Sequence, residues 1–138
     1  MNNRHICRAK RIDNGEWIDG YYVCLNENCH LIYTGYAETD CGDYYPDSFE
    51  VIPETVGECT TLHDKNGKLI FEGDIVKDKE SGLLGKVIFA TAADGFDGMT
   101  GFMVDDVDDG LQNYNGFWHL VEIIGNEFDN PELLEVER

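Results

Sequence analysis

Short apolar stretches cut by polar turns run the length of the chain, and no long segment repeats its apolar residues every 3.6 positions. A helical bundle is thereby excluded, because a core-facing helix keeps that period over several turns. Glu16 to Leu25 carries Trp17, Ile18, Tyr21, Tyr22, Val23 and Leu25 and predicts a strand, since aromatic and β-branched side chains suit a pleated, half-buried surface. Asn26-Glu27-Asn28 supplies turn chemistry, and Cys29 to Tyr36 predicts the return strand. Cys41 to Asp47, with Gly42 and Pro46, reads as an aromatic loop. Phe49 to Ile52 reads as a short strand that Pro53 stops or leaves at a sheet edge.

Residues 53 to 60 have the character of a connector, with Pro53 and Gly57 breaking the pattern. Beyond it, Thr60 to Lys65 and Lys68 to Phe71 flank Asn66-Gly67, a pair that favours a type I′ hairpin turn between extended runs. Glu72-Gly73-Asp74 then turns the chain into Ile75-Val76-Lys77, and Gly85 to Phe89 and Gly101 to Val104 are two further strand candidates. Trp118 to Ile124 predicts the last strand. Asn130 as N-cap, Pro131 at the first helical position, and Glu132 and Glu135 near the positive end predict a short C-terminal helical turn. The expected architecture is all-β, a small barrel or sandwich, in two parts: residues 1–58 and residues 59–138.

Composition fits a folded chain, with 42% apolar and 12% aromatic residues. No apolar run approaches the ~20 residues that span a bilayer, and Met1 to Lys10 lacks the apolar core of a secretory signal, so the expected compartment is the cytoplasm. Five irregularly spaced cysteines (Cys7, Cys24, Cys29, Cys41, Cys59) argue against a disulfide framework and predict free, mostly buried thiols.

Charge changes the picture most. Twenty-eight acids against ten bases give a net charge of −18. No Lys or Arg occurs from Ile12 to Asp64, or from Val87 to Glu137. Phosphate backbones and anionic membrane surfaces are therefore disfavoured partners, since binding them requires several neutralising contacts. Plain solubility accounts for such a surface, and so does a basic partner.

Four blocks resemble the YopX family of bacteriophage and prophage proteins. They are Arg8 to Trp17 followed by Gly20-Tyr21-Tyr22, then Val51 to Gly57, then Leu62 to Val76, and finally Glu122 to Leu134. The blocks fall in the expected order along essentially the whole chain. The resemblance implies a phage or prophage origin in a bacterial host and a second part similar to an SH3-like barrel. It implies no catalytic residues. Cys24 to Tyr44 and Ala90 to Gly116 depart from the family pattern and look particular to this chain.

Candidate chemistry is sparse. Cys24, Cys29, His30 and Cys41 supply zinc-type ligands, but their spacing is poor and adjacent Cys29 and His30 point to opposite faces of a strand. Asp105, Asp106, Asp108 and Asp109, with Asp94 and Asp97 upstream, suggest a divalent cation. They fail the EF-hand template, because Val107 falls at a ligand position and Gly116 where a bidentate glutamate belongs. His119, expected partly buried in an apolar strand, stands with His63 and His5 apart from any recognisable nucleophile. No phosphate loop or nucleophile elbow is present. Lys65, Lys68, Lys77, Lys79 and Lys86 are expected on hairpins and edge strands.

The expectation is a non-enzymatic accessory protein with no cofactor or metal, acting through an unidentified protein partner or by self-assembly. Tyr21, Tyr22, Tyr33, Tyr36, Tyr44 and Tyr45 offer an aromatic surface for such contacts. Alternatives are an acidic nucleic-acid mimic that blocks a host DNA-binding protein, and a metal-dependent hydrolase.

Overall fold

A computed structural model describes residues 6–90, 101–112 and 117–135. The chain divides into two units, Met1–Cys59 and Thr60–Arg138. Their described strands form open antiparallel sheets, not the closed SH3-like barrel that the resemblance implies.

The N-terminal unit contains β1 (Cys7–Lys10), β2 (Trp17–Asn26), β3 (Cys29–Glu38), β4 (Tyr44–Glu50) and the start of β5 (Gly57–His63), in the spatial order β4-β3-β2-β1-β5. Register explains the core. Ala9 pairs with Ile18, Tyr22 with Ile32, and Ile32 with Phe49. Cross-strand partners share a face, so one side of the sheet collects the apolar set. Ala9, Ile32 and Val51 are fully buried there, with Cys7, Ile18, Tyr22 and Val56 packed against them.

Two expectations change in this unit. The segment read as an aromatic loop over Cys41–Asp47 becomes strand from Tyr44 onward, because Tyr44, Tyr45 and Pro46 pair with Glu38, Ala37 and Tyr36. Pro46, which cannot donate to a ladder, is tolerated because β4 lies at the edge of the sheet. The connector is also shorter than expected. Pro53–Thr55 forms a 3-10 turn, and β5 begins at Gly57. Buried Thr55 locks the turn, its Oγ1 accepting the Lys10 N–H at 2.9 Å and donating to the Ile52 carbonyl at 2.7 Å.

The C-terminal unit contains the end of β5, then β6 (Leu69–Phe71), β7 (Asp74–Lys77), β8 (Leu84–Ala90), β9 (Gly101–Asp106), β10 (Gly110–Gln112) and β11 (Glu122–Asn126). One sheet has the order β10-β9-β8-β7-β11, and β6 neighbours β5. Its core is larger: Ile70, Val76, Leu83, Val87, Val104, Trp118 and Val121, with Leu62, Phe102 and Ile123 against it.

Here the turns correct the sequence reading. Type I′ geometry needs positive φ at both central residues, yet only Gly67 (φ 78°) has it and Asn66 does not. The β5–β6 hairpin instead uses a three-residue loop, with the Gly67 N–H donating to the Asp64 carbonyl at 3.0 Å and the Asp64 N–H to the Lys68 carbonyl at 2.9 Å. The Asp64 carboxylate holds the Asn66 N–H in a right-handed turn, which is what displaces the type I′ form. Trp118–Leu120 is a 3-10 turn that drops Trp118 into the core, and the strand starts only at Glu122. Asn130 is the N-cap residue of the C-terminal turn Pro131–Leu134, a 3-10 turn, but its side chain makes no cap bond; its Oδ1 accepts the Asn126 N–H at 3.3 Å.

Candidate interaction surface

The acidic residues divide into two groups with different work. Asp64, Asp74, Asp78 and Asp106 are buried, each at a turn between strands of the C-terminal unit. Asp64 accepts the N–H groups of Asn66, Lys68 and Ile123 at 2.9, 2.9 and 3.0 Å. Asp74 accepts that of Phe71 at 2.8 Å, and Asp78 that of Glu80 at 3.0 Å. Asp106 accepts those of Leu84, Asp108 and Asp109 at 3.2, 2.8 and 3.1 Å. Burial alone would push the Asp64 carboxyl upward, but its three N–H donors, with Lys68 nearby, outweigh that and hold it below the ordinary value. These carboxylates are turn clamps.

Of the acidic run weighed as a cation site, Asp106 is committed to backbone N–H groups. Asp105 lies half-buried on β9, Asp108 and Asp109 are exposed in the β9–β10 turn, and Asp94 and Asp97 lie outside the described residues. Gly110–Gln112 forms β10 directly after this turn.

The cysteine–histidine set is not brought together. Cys24 and His30 are register partners, and Cys29 pairs with Asn26 at the β2–β3 turn. Cys41 lies in the turn beyond the far end of β3, and Cys29 opens that strand, whose length is roughly 30 Å at ~3.3 Å per residue. His30 Nε2 lies 3.2 Å from the Glu27 carbonyl and Nδ1 2.7 Å from Tyr22 Oη. A carbonyl can only accept, so Nε2 carries the proton and Nδ1 accepts from the Tyr22 phenol. Burial, together with the thiols of Cys24 and Cys7, pushes the Tyr22 phenol up and keeps it a donor. None of the five cysteines forms a disulfide, and only Cys59 is buried, while Cys24 and Cys41 are exposed. The expectation of mostly buried thiols therefore fails, with Cys7 and Cys29 only half-buried.

His119 is exposed on its 3-10 turn, not half-buried in a strand, and His63 is exposed at the end of β5. His5 lies outside the described residues. Lys65, Lys68 and Lys79 do sit at turns, but Lys77 and Lys86 lie on β7 and β8, which are interior strands. The shallow depression beside His119 is lined by the unlike charges of Lys65, Lys79, Asp78 and Glu80, and the one beside Asp108 by Asp106, Asp108 and Asp109 with no base.

What stands out is the β3–β4 hairpin. Tyr22 is absorbed by the core and Tyr33 is half-buried, but Tyr36, Tyr44 and Tyr45 are 77%, 71% and 49% exposed. Tyr36 pairs with Pro46 and Glu38 with Tyr44, which sets Tyr36 diagonally beside Tyr44 on one face. The turn at the tip is tied by the Thr39 N–H to the Asp43 carbonyl at 2.7 Å, and by the Asp43 N–H to Thr39 Oγ1 at 3.1 Å. Glu38, Asp40, Asp43 and Asp47 are distributed along the hairpin, and no base occurs in it. Sequence reasoning found these tyrosines but not their acidic company, since the pairing of Glu38 with Tyr44 is invisible while Tyr44 is assigned to a loop.

The sequence pattern of the family described as YopX protein matches residues 7–135. The chain belongs to the YopX family. The match takes in both units of this YopX chain and every described strand, although it stops short of Arg138. No curated protein matches it. Among the described residues of this YopX-family chain, no helix is long and apolar enough to cross a membrane.

Proposed function

We propose that this YopX-family chain is a phage-encoded, non-enzymatic accessory protein that works in the bacterial cytoplasm by binding another protein through the β3–β4 hairpin. The single observation behind this reading is the exposure of Tyr36, Tyr44 and Tyr45 together on the edge hairpin, none of the three belonging to the core. Exposed aromatics grouped in this way suit a contact surface, because they supply large, stiff, amphipathic area at small entropic cost. The nucleic-acid-mimic alternative draws on the −18 charge, but Asp64, Asp74, Asp78 and Asp106 face inward and do not contribute to a displayed phosphate-like array.

The test is affinity capture from bacterial lysate with the wild-type chain and with Tyr36→Ser/Tyr44→Ser/Tyr45→Ser. A partner held in stoichiometric amount by the wild type and lost by the triple variant is expected. Identical capture by both proteins, or a stoichiometric metal and hydrolytic turnover in the purified chain, would overturn the reading.

A further inference from the structure

We propose that the β3–β4 hairpin docks an arginine- and lysine-rich segment of its protein partner, laid along the edge strand β4; this rests on the hairpin being the contact surface. Three observations select that chemistry over other occupants. The first is charge. From Tyr36 to Asp47 the hairpin carries Glu38, Asp40, Asp43 and Asp47 and no Lys or Arg, so its field favours cations. A second copy of the chain would bring four more carboxylates against these four, and a nucleic acid would bring phosphates. Both are repelled.

The second observation is how the same sheet treats its own cations. The Arg8 guanidinium and the Lys10 ammonium lie over Trp17, 5.0 and 5.4 Å from the ring centre. Arg11 lies over Phe49 at 4.1 Å and meets Asp13 at 2.6 Å. At Arg11, then, an aromatic face and a carboxylate together seat a guanidinium. Tyr36, Tyr44 and Tyr45 repeat that pairing of ring and carboxylate with no cation of the chain over them among the described residues.

The third is the edge. β4 ends the sheet, so one side of its backbone is open to an added strand, while Tyr44 and Tyr45 present alternate faces to that strand's side chains. Pro46 leaves a gap in the donor row but not in the acceptors.

The experiment is an NMR titration of the full chain with a synthetic peptide alternating arginine and valine over the seven-residue length of β4, beside an acidic peptide of equal length. Shift changes confined to residues 36–50 are expected with the basic peptide alone. Tyr44→Ser, which leaves the charge unchanged, should weaken binding about fivefold, the scale of one cation–π contact. Glu38→Gln/Asp40→Asn/Asp43→Asn should weaken it about tenfold or more and flatten its salt dependence. The control Asp108→Asn/Asp109→Asn removes charge from the other unit and should change little.

Shifts scattered over acidic residues throughout the chain, an equal loss in the control, or no binding would overturn the inference, as would hairpin-dependent dimers in sedimentation. Failure here, with the tyrosine variant still losing its captured partner, leaves the broader reading standing and removes only the basic segment. Failure of both removes the hairpin as a contact surface.

Discussion

Replacing Asp64 tests the idea that the buried acids of the C-terminal unit are turn clamps and not displayed charge. Its carboxylate is 4% exposed and takes three backbone N–H donors, two within the β5–β6 turn and one from Ile123 on β11. In Asp64→Asn, the amide oxygen can keep the Oδ1 contacts to Asn66 and Lys68, but an NH2 then faces the Ile123 N–H. One charge-assisted bond disappears and a buried donor loses its acceptor, a cost of about 2–4 kcal/mol. For a unit of this size that lowers the unfolding midpoint by roughly 10–20 °C. The sign with pH follows from the depressed pKa. The clamp's contribution is complete above the ordinary carboxylate value of 3.8 and is lost as pH falls through the lower folded value. The gap between wild type and Asp64→Asn should therefore be widest near neutrality and close toward pH 2. Urea unfolding followed by Trp118 fluorescence, in a Trp17→Phe background so that only the C-terminal unit reports, measures it. A gap below about 1 kcal/mol at pH 7, or one unchanged down to pH 2, would refute the clamp.

Other substitutions probe different parts of the fold. A Cβ at Gly85 would overlap the Asp105 carbonyl in the β8–β9 ladder, so Gly85→Ala should cost about 1–3 kcal/mol in the same urea assay. Thr61 holds φ at 66°, a left-handed value that strains a β-branched residue, and Thr61→Gly should raise stability by about 1 kcal/mol. A decrease would show that its side chain matters more than its backbone. Ile32→Ala and Ile70→Ala, both at fully buried positions, should each cost about 2–5 kcal/mol. Each loss should register through the tryptophan of its own unit, Trp17 or Trp118, and a shift seen by both probes equally would mean that the units unfold together.

The strands were legible where period and side-chain type agreed. The Trp17–Leu25 run, its return strand and the Val87 strand follow from alternating aromatic and β-branched residues, which only a pleated sheet can half-bury. Boundaries were lost where the deciding contact came from elsewhere in the chain. Tyr44–Asp47 looks like a loop because Gly42 and Pro46 dominate locally, and only the partner strand makes it extended. Asn66-Gly67 suggests one turn by composition, but a carboxylate two residues upstream selects another. Asn130 stands at the cap position, but its side chain serves Asn126 instead. The same limit hid most of the interaction surface. Six tyrosines stand in the sequence as equals, and burial alone separates Tyr22 from Tyr36, Tyr44 and Tyr45.

Small β units often rely on cross-links to hold their loops, and here no disulfide forms among the five cysteines. Aspartate-to-amide bonds do that work at Asp64, Asp74, Asp78 and Asp106, without a covalent bond that a thiol could break. The Asp64 turn should accordingly be indifferent to reductant while yielding to protons. Its vulnerability belongs to acidity and not to redox chemistry, because what fastens that turn is ionised oxygen in place of sulfur.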